Sequence, residues 1–147
     1  MIEHANFELD ESRNAIVLRR NFAAPLARLF DAWTLPRQIS QWWDPAGKPL
    51  ADCEVDLRVG GTFRFVNQGR ADHPFTGTYL EISPPNRIVF DAMGAIGTID
   101  ISERDGGTEQ IVTMACASAK QLQQFVQMGI ADGTARSLAN LGTYLET

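Results

Sequence analysis

The chain has 147 residues, 44% hydrophobic and 21% charged, ordinary proportions for one globular domain able to bury a core unaided. Eighteen acidic against thirteen basic side chains leave a formal net charge of −5, and the arginines are scattered, which argues against a nucleic-acid partner. No apolar run of about 18 residues is present, and the start MIEHANFELDE is acidic and polar, so no membrane partner and a cytoplasmic location are expected.

In chain order, a loose start is followed by Ala15–Phe22 (AIVLRRNF), a strand rich in branched residues. Pro25 then suits the first position of a helix, where its missing N–H goes unused. Leu26, Leu29, Phe30 and Trp33 recur at i, i+3, i+4 and i+7, an amphipathic stripe. Pro36 ends that helix and opens a second short one carrying Ile39, Trp42 and Trp43, stopped at Asp44-Pro45. All three tryptophans thus fall in one short segment that reads as the wall of a cavity.

Cys53–Leu57 and Thr62–Val66 read as a hairpin whose turn uses the paired Gly60-Gly61, with Gly61 expected at positive φ. Gln68–Pro74 is a polar loop and Phe75–Ile82 a strand, ended by Ser83-Pro84-Pro85-Asn86 because neither proline can donate to a ladder. Arg87–Met93 and Thr98–Glu103 form a further hairpin around Gly94 and Gly97, and Asp105-Gly106-Gly107 turns into the strand Glu109–Ala115. Ser118-x-x-Gln121 is a capping-box signature, and apolar residues from Leu122 to Leu145 keep helical spacing. One continuous helix there would run roughly 40 Å, with Gly129 and Gly133 marking close packing or a bend.

This order resembles the START-like (SRPBCC, helix-grip) superfamily, and within it the activator of heat-shock protein 90 ATPase homologue, C-terminal-domain-like proteins. The carrying motifs are LARLFDAWTLP, QWWDP, EVDLRVGGTFRF, FTGTYLEISPPNRIVF, the DGGT turn and MGIADGTARSLANL. The resemblance implies one α+β domain over residues 1–147. In it a curved antiparallel sheet of about six or seven strands wraps a long C-terminal helix, with two short helices after the first strand. The family often places tryptophan after the glycine of the last motif; here Thr134 follows Gly133.

Strand alternation puts Phe63 with Phe65 on one face, Ile88 with Phe90 on one face and Ile99 with Ile101 on another. With Trp42, Trp43 and Phe125, the residues Phe63, Phe65, Phe90, Ile99 and Ile101 are the candidate lining of a ligand cavity. Gly77, if it faces that cavity, is a position at which a larger side chain would narrow it. Two adjacent helical positions point about 100° apart, so one of Trp42 and Trp43 is expected to face outward, which suggests a homodimer.

No catalytic residue is assigned. The sequence lacks GxSxG, CxxC and HExxH; Asp91 and Asp100 read as solvent-facing, Asp56 with Arg58 as an edge ion pair, and His73 as a surface residue. Cys53 and Cys116 read as reduced buried thiols, and no metal or other cofactor is expected. The favoured function is therefore a binder of a small hydrophobic or amphipathic molecule between sheet and C-terminal helix, and not an enzyme. The alternatives are a co-chaperone-like regulator of a heat-shock protein 90 ATPase, with a chaperone partner, and a cyclase- or hydrolase-type enzyme using the same cavity.

Overall fold

The computed structural model describes residues 6–147 and, for Ile2 and Glu3, the backbone alone. The chain forms an α+β helix-grip fold. A single antiparallel sheet runs β1 (Ile2–Glu3), β2 (Glu8–Asp10), β3 (Ala15–Phe22), β4 (Asp52–Val55), β5 (Thr62–Val66), β6 (Phe75–Ser83), β7 (Arg87–Ala92), β8 (Ala95–Arg104) and β9 (Gly107–Ala115). Its spatial order is β1-β2-β3-β9-β8-β7-β6-β5-β4. Two short helices, α1 (Leu26–Thr34) and α2 (Pro36–Trp42), follow β3, and α3 (Ala119–Gln127) and α4 (Ile130–Leu145) close the chain.

The sheet has nine strands among the described residues, more than the six or seven expected. The additions lie in the segment read as a loose start. Glu8, Leu9 and Asp10 pair with Val17, Ile16 and Ala15 across a turn held by Asp10, whose carboxylate accepts from Ser12 and Arg13. Three residues are too short for alternation to register as a period, so only the pairing partner defines them.

Leu29, Phe30 and Trp33 are buried as the stripe requires, and Pro36 occupies the first turn of α2. Pro25 stands one place before the helix, with extended ψ, as its N-cap. The β7–β8 turn is Met93-Gly94, both at positive φ, between the paired Ala92 and Ala95; Asp105-Gly106 repeats this arrangement between Arg104 and Gly107. Such two-residue turns match the twist of the flanking strands. Gly97 is therefore no turn residue. It lies within β8, opposite Phe90, whose ring occupies the space its side chain would need.

The expected single terminal helix is two. The N-terminus of α3 is capped by Ser118, whose Oγ accepts from Gln121 N at 3.1 Å. Gly129, at φ 78°, ends it and serves as the N-cap of α4. A left-handed residue at this joint suits glycine, which carries no Cβ penalty there. The core lies between the concave sheet face and these helices, with Ile16, Leu18, Leu29, Ile39, Trp42 and Leu141 among its most buried members.

Phe63, Phe65 and Phe90 share the concave side, the first two buried and Phe90 half-buried against Phe63. Gly60, not Gly61, carries the positive φ of the β4–β5 turn; at Gly61 a Cβ would run into the Asp56 carbonyl oxygen. Two distinct penalties are expected. Gly60→Ala should cost about 1 kcal/mol through backbone conformation, and Gly61→Val about 2 kcal/mol or more through steric displacement of Asp56. Denaturant midpoints of both variants check the order, and a Gly61→Val midpoint equal to wild type would rule out the close approach.

Candidate functional site

The site is built from aromatic and small side chains. On the sheet, Phe63 lies over Gly77 and Phe90 over Gly97, each ring covering the glycine paired with it on the neighbouring strand. Phe63 contacts Phe65, Phe75, Tyr79 and Phe90 at ring-centroid distances of 5.0, 5.6, 5.2 and 5.4 Å. This bed is almost solid, with only about 20 Å³ of space among its rings. Gly77 faces the ring of Phe63 and the Asp91 carbonyl, so it is no place from which to narrow a cavity.

A tryptophan triad closes one end. Trp33 and Trp42 meet edge to face at 4.7 Å, and Trp43 stands 6.4 and 5.8 Å from them. Trp43 also packs on Phe65 at 4.8 Å and Phe75 at 5.2 Å. Trp42 is 1% exposed and Trp43 only half-buried, but both point inward. The expectation of an outward indole fails because α2 packs on both α4 and β4, so two adjacent positions each find interior. The inference of self-association drawn from an exposed indole loses its premise.

Hydrogen bonds hold the triad. Trp33 Nε1 donates to Gln110 Oε1 at 2.7 Å and Trp42 Nε1 to the Ala32 carbonyl at 3.0 Å. The Gln110 amide nitrogen is buried with no hydrogen-bond partner among the described residues, since the indole N–H fixes its oxygen toward Trp33. Ser137 Oγ donates to the Trp43 carbonyl at 2.6 Å and Asn140 Nδ2 to that of Asp44 at 2.9 Å, pinning the end of α2 to α4.

Between sheet and terminal helices, beside the aromatic bed, lies a recess of about 360 Å³. Its sheet wall comprises Phe90, Gly97, Ile99, Val112 and Met114; its helical wall runs from Phe125 through the Met128-Gly129 joint to Leu138. Met93 and Met128 stand at its rim, 51% and 66% exposed. Asn67, Thr134 and Ser137 add polar atoms, and among the described residues no ionisable side chain lines it. Gly133 also stands in the wall, where an added Cβ would meet Pro45 Cγ at an unstrained 3.7 Å.

Residues 23–146 match the family described as activator of Hsp90 ATPase homolog 1-like protein. The chain belongs to that family. No curated protein matches it in sequence. Among solved structures it is similar to protein Ms6760 from Mycobacterium smegmatis, with TM-score 0.83, 22% identity and 97% of each chain covered. It also resembles a protein from Arthrobacter aurescens, with TM-score 0.84, 20% identity and 97% of this chain and 91% of that one covered. For NE0264 from Nitrosomonas europaea the values are 0.81, 23%, 90% and 94%. At these identities the likeness shows the fold, whose helix-grip architecture the family match also carries.

Against this family frame, Trp42, Trp43, Phe90, Ile99 and Phe125 line the recess. Phe63 and Phe65 belong to the adjoining bed, and Ile101 is buried in the core. Sequence reasoning missed Val112, Met114, Met93, Met128 and Asn67. The alternation of β9 contained Val112 and Met114, whereas turn and joint residues carry no period. Thr134, where the family often has tryptophan, leaves this wall small, its hydroxyl donating to the Ile130 carbonyl at 2.8 Å.

The polar candidates fall elsewhere. Arg58 pairs with Asp56 at 2.9 Å and Arg87 with Asp100 at 2.5 Å, both near the surface; Asp91 is exposed, and His73 lies beside Asp72, also exposed. Among the described residues no three His, Cys, Asp or Glu side chains gather as a metal site. Cys53 and Cys116 are free thiols. Burial pushes the Cys53 thiol up to about 11 against an opposing hydrogen bond with Ser40, and burial raises Cys116 and Tyr79 as well.

Two outcomes follow from this geometry. Trp33→Phe strands the Gln110 oxygen in the core and should cost about 1–3 kcal/mol, while adding Gln110→Leu should recover part of that loss; denaturation of the single and double variants measures the coupling. Cys53 has few thiolates at pH 8, so its alkylation by iodoacetamide should be about a hundredfold slower than that of an ordinary thiol. Its rate should rise roughly tenfold per pH unit toward pH 11, followed by mass spectrometry.

Proposed function

We propose that this protein binds a small hydrophobic or amphipathic molecule in the recess between its sheet and its terminal helices. The observation that carries the reading is the lining itself: aryl, aliphatic and thioether groups with a few neutral polar atoms and, among the described residues, no charge. Such a surface gains free energy by excluding water from an apolar guest and offers Asn67 to orient a polar end. Its volume of about 360 Å³ suits a ligand of modest size.

An enzyme would need an acid, base or nucleophile aimed into the space, and among the described residues no ionisable side chain lines the recess. Its two hydroxyls, on Thr134 and Ser137, are engaged with backbone carbonyls. A role as regulator of a chaperone ATPase rests on the family description alone, and no feature of this chain favours it over ligand binding.

Titration with the neutral dye Nile red should quench tryptophan fluorescence and raise the melting temperature with concentration, since binding the folded state alone stabilises it by mass action. Gly133→Leu should fill the recess and weaken dye binding about tenfold or more. The same change replaces a helix-interior glycine, so stability should hold or rise by up to about 1 kcal/mol. A broad apolar library giving neither a thermal shift nor a fluorescence change would overturn the reading.

A further inference from the structure

Beyond Met1, the chain has three methionines, and all three line the recess: Met93 and Met128 at its rim, Met114 on the inner sheet wall. Their settings differ. Met93 is the first residue of the β7–β8 turn, at φ 57°, and is 51% exposed. Met128 is the C-cap of α3, just before the left-handed Gly129, and is 66% exposed. Met114, within β9, is half-buried.

The two rim elements are tied together. Gln121, in the first turn of α3, donates from Nε2 to the Met93 carbonyl at 3.1 Å, and its Oε1 accepts from Ala117 N at 2.6 Å. The rim thus has a fixed backbone carrying two flexible, solvent-facing thioethers. Thioethers suit an adaptable apolar surface, and they are also the apolar side chains most open to oxidation.

We propose that Met93 and Met128 are a paired oxidation site, and that their conversion to sulfoxides by hydroperoxides loosens the recess's hold on apolar ligands. In each step a sulfur lone pair attacks a peroxide oxygen. An S–O bond forms, the O–O bond breaks, and the second oxygen takes up the proton of the first and leaves, as water from hydrogen peroxide or as the alcohol from an organic hydroperoxide. Sulfur is oxidised by two electrons and the peroxide is reduced. Each sulfoxide puts a strong dipole where an apolar guest has to pass and pack, so ligand is bound less well. Both side chains stand outside the core, so the fold survives the change. Thiol-dependent sulfoxide reduction would restore the apolar rim.

The ligand half of this proposal rests on the binding function above; the oxidation half does not. Treating the full chain with hydrogen peroxide and following peptides by mass spectrometry should show Met93 and Met128 oxidised several-fold faster than Met114. Equal rates, or Met114 first, would overturn the site assignment. The oxidised protein should keep its melting transition and bind Nile red about fivefold or more weakly. The double variant Met93→Leu/Met128→Leu, whatever its own starting affinity, should bind the dye equally well before and after peroxide treatment. Undiminished binding by oxidised wild type, or a loss that persists in the double variant, would overturn the switch. Failure of the untreated protein to bind Nile red would instead overturn the binding function and the ligand half with it, leaving the order of oxidation to decide the rest.

Discussion

The architecture depends on rings seated over glycines. Phe63 covers Gly77 and Phe90 covers Gly97, each ring occupying the space a paired side chain would take, and the two rings meet edge to face at 5.4 Å. Glycine weakens a strand, but an aromatic ring across the pair replaces the lost contact and shields the backbone. With the rings laid down in this way, Phe65, Phe75 and Tyr79 complete a bed dense enough to leave almost no free space. Where the bed ends, Gly97, Ile99, Val112 and Met114 are too small to reach the helices, and the recess lies over them.

The helical side complements that arrangement by what it lacks. The break at Gly129 turns one long apolar stripe into two helices, and the absence of side chains at Gly129 and Gly133 leaves the wall thin. Thr134 preserves this, its small side chain folded back onto the Ile130 carbonyl. Ser137 and Asn140 meanwhile hold α4 to the end of α2, keeping the tryptophan triad against the end of the recess. Close packing elsewhere therefore coexists with a gap that local side-chain choice maintains.

The distribution of charge fits an apolar guest. Ion pairs such as Arg87–Asp100, Arg64–Asp52 and Arg104–Glu109 lie away from the recess at solvent-accessible positions, where screening makes each worth little. The interior polar contacts instead orient indoles, as Gln110 does for Trp33. Its amide nitrogen, buried without a hydrogen-bond partner among the described residues, is the cost of fixing that indole.

By itself the sequence determined what local chemistry controls. Helical spacing placed Leu29, Phe30 and Trp33 inward, proline bounded α1 and α2, Ser118 capped α3, and alternation put Phe63, Phe65 and Phe90 on one face. The motifs spread over these elements carried the family and the fold. Tertiary structure alone decided the rest, because each remaining feature depends on a partner distant in the chain. Strand β2 exists through its pairing with β3, and Trp42 and Trp43 both turn inward because α4 and β4 flank them. Gly97 is a strand residue because Phe90 lies across it. Periodicity likewise tells which face of a strand is apolar, but whether that face is filled or left open depends on the reach of the side chains opposite. That is why Phe63 and Phe65 became a packed bed while Phe90, Ile99 and Phe125 came to border open space.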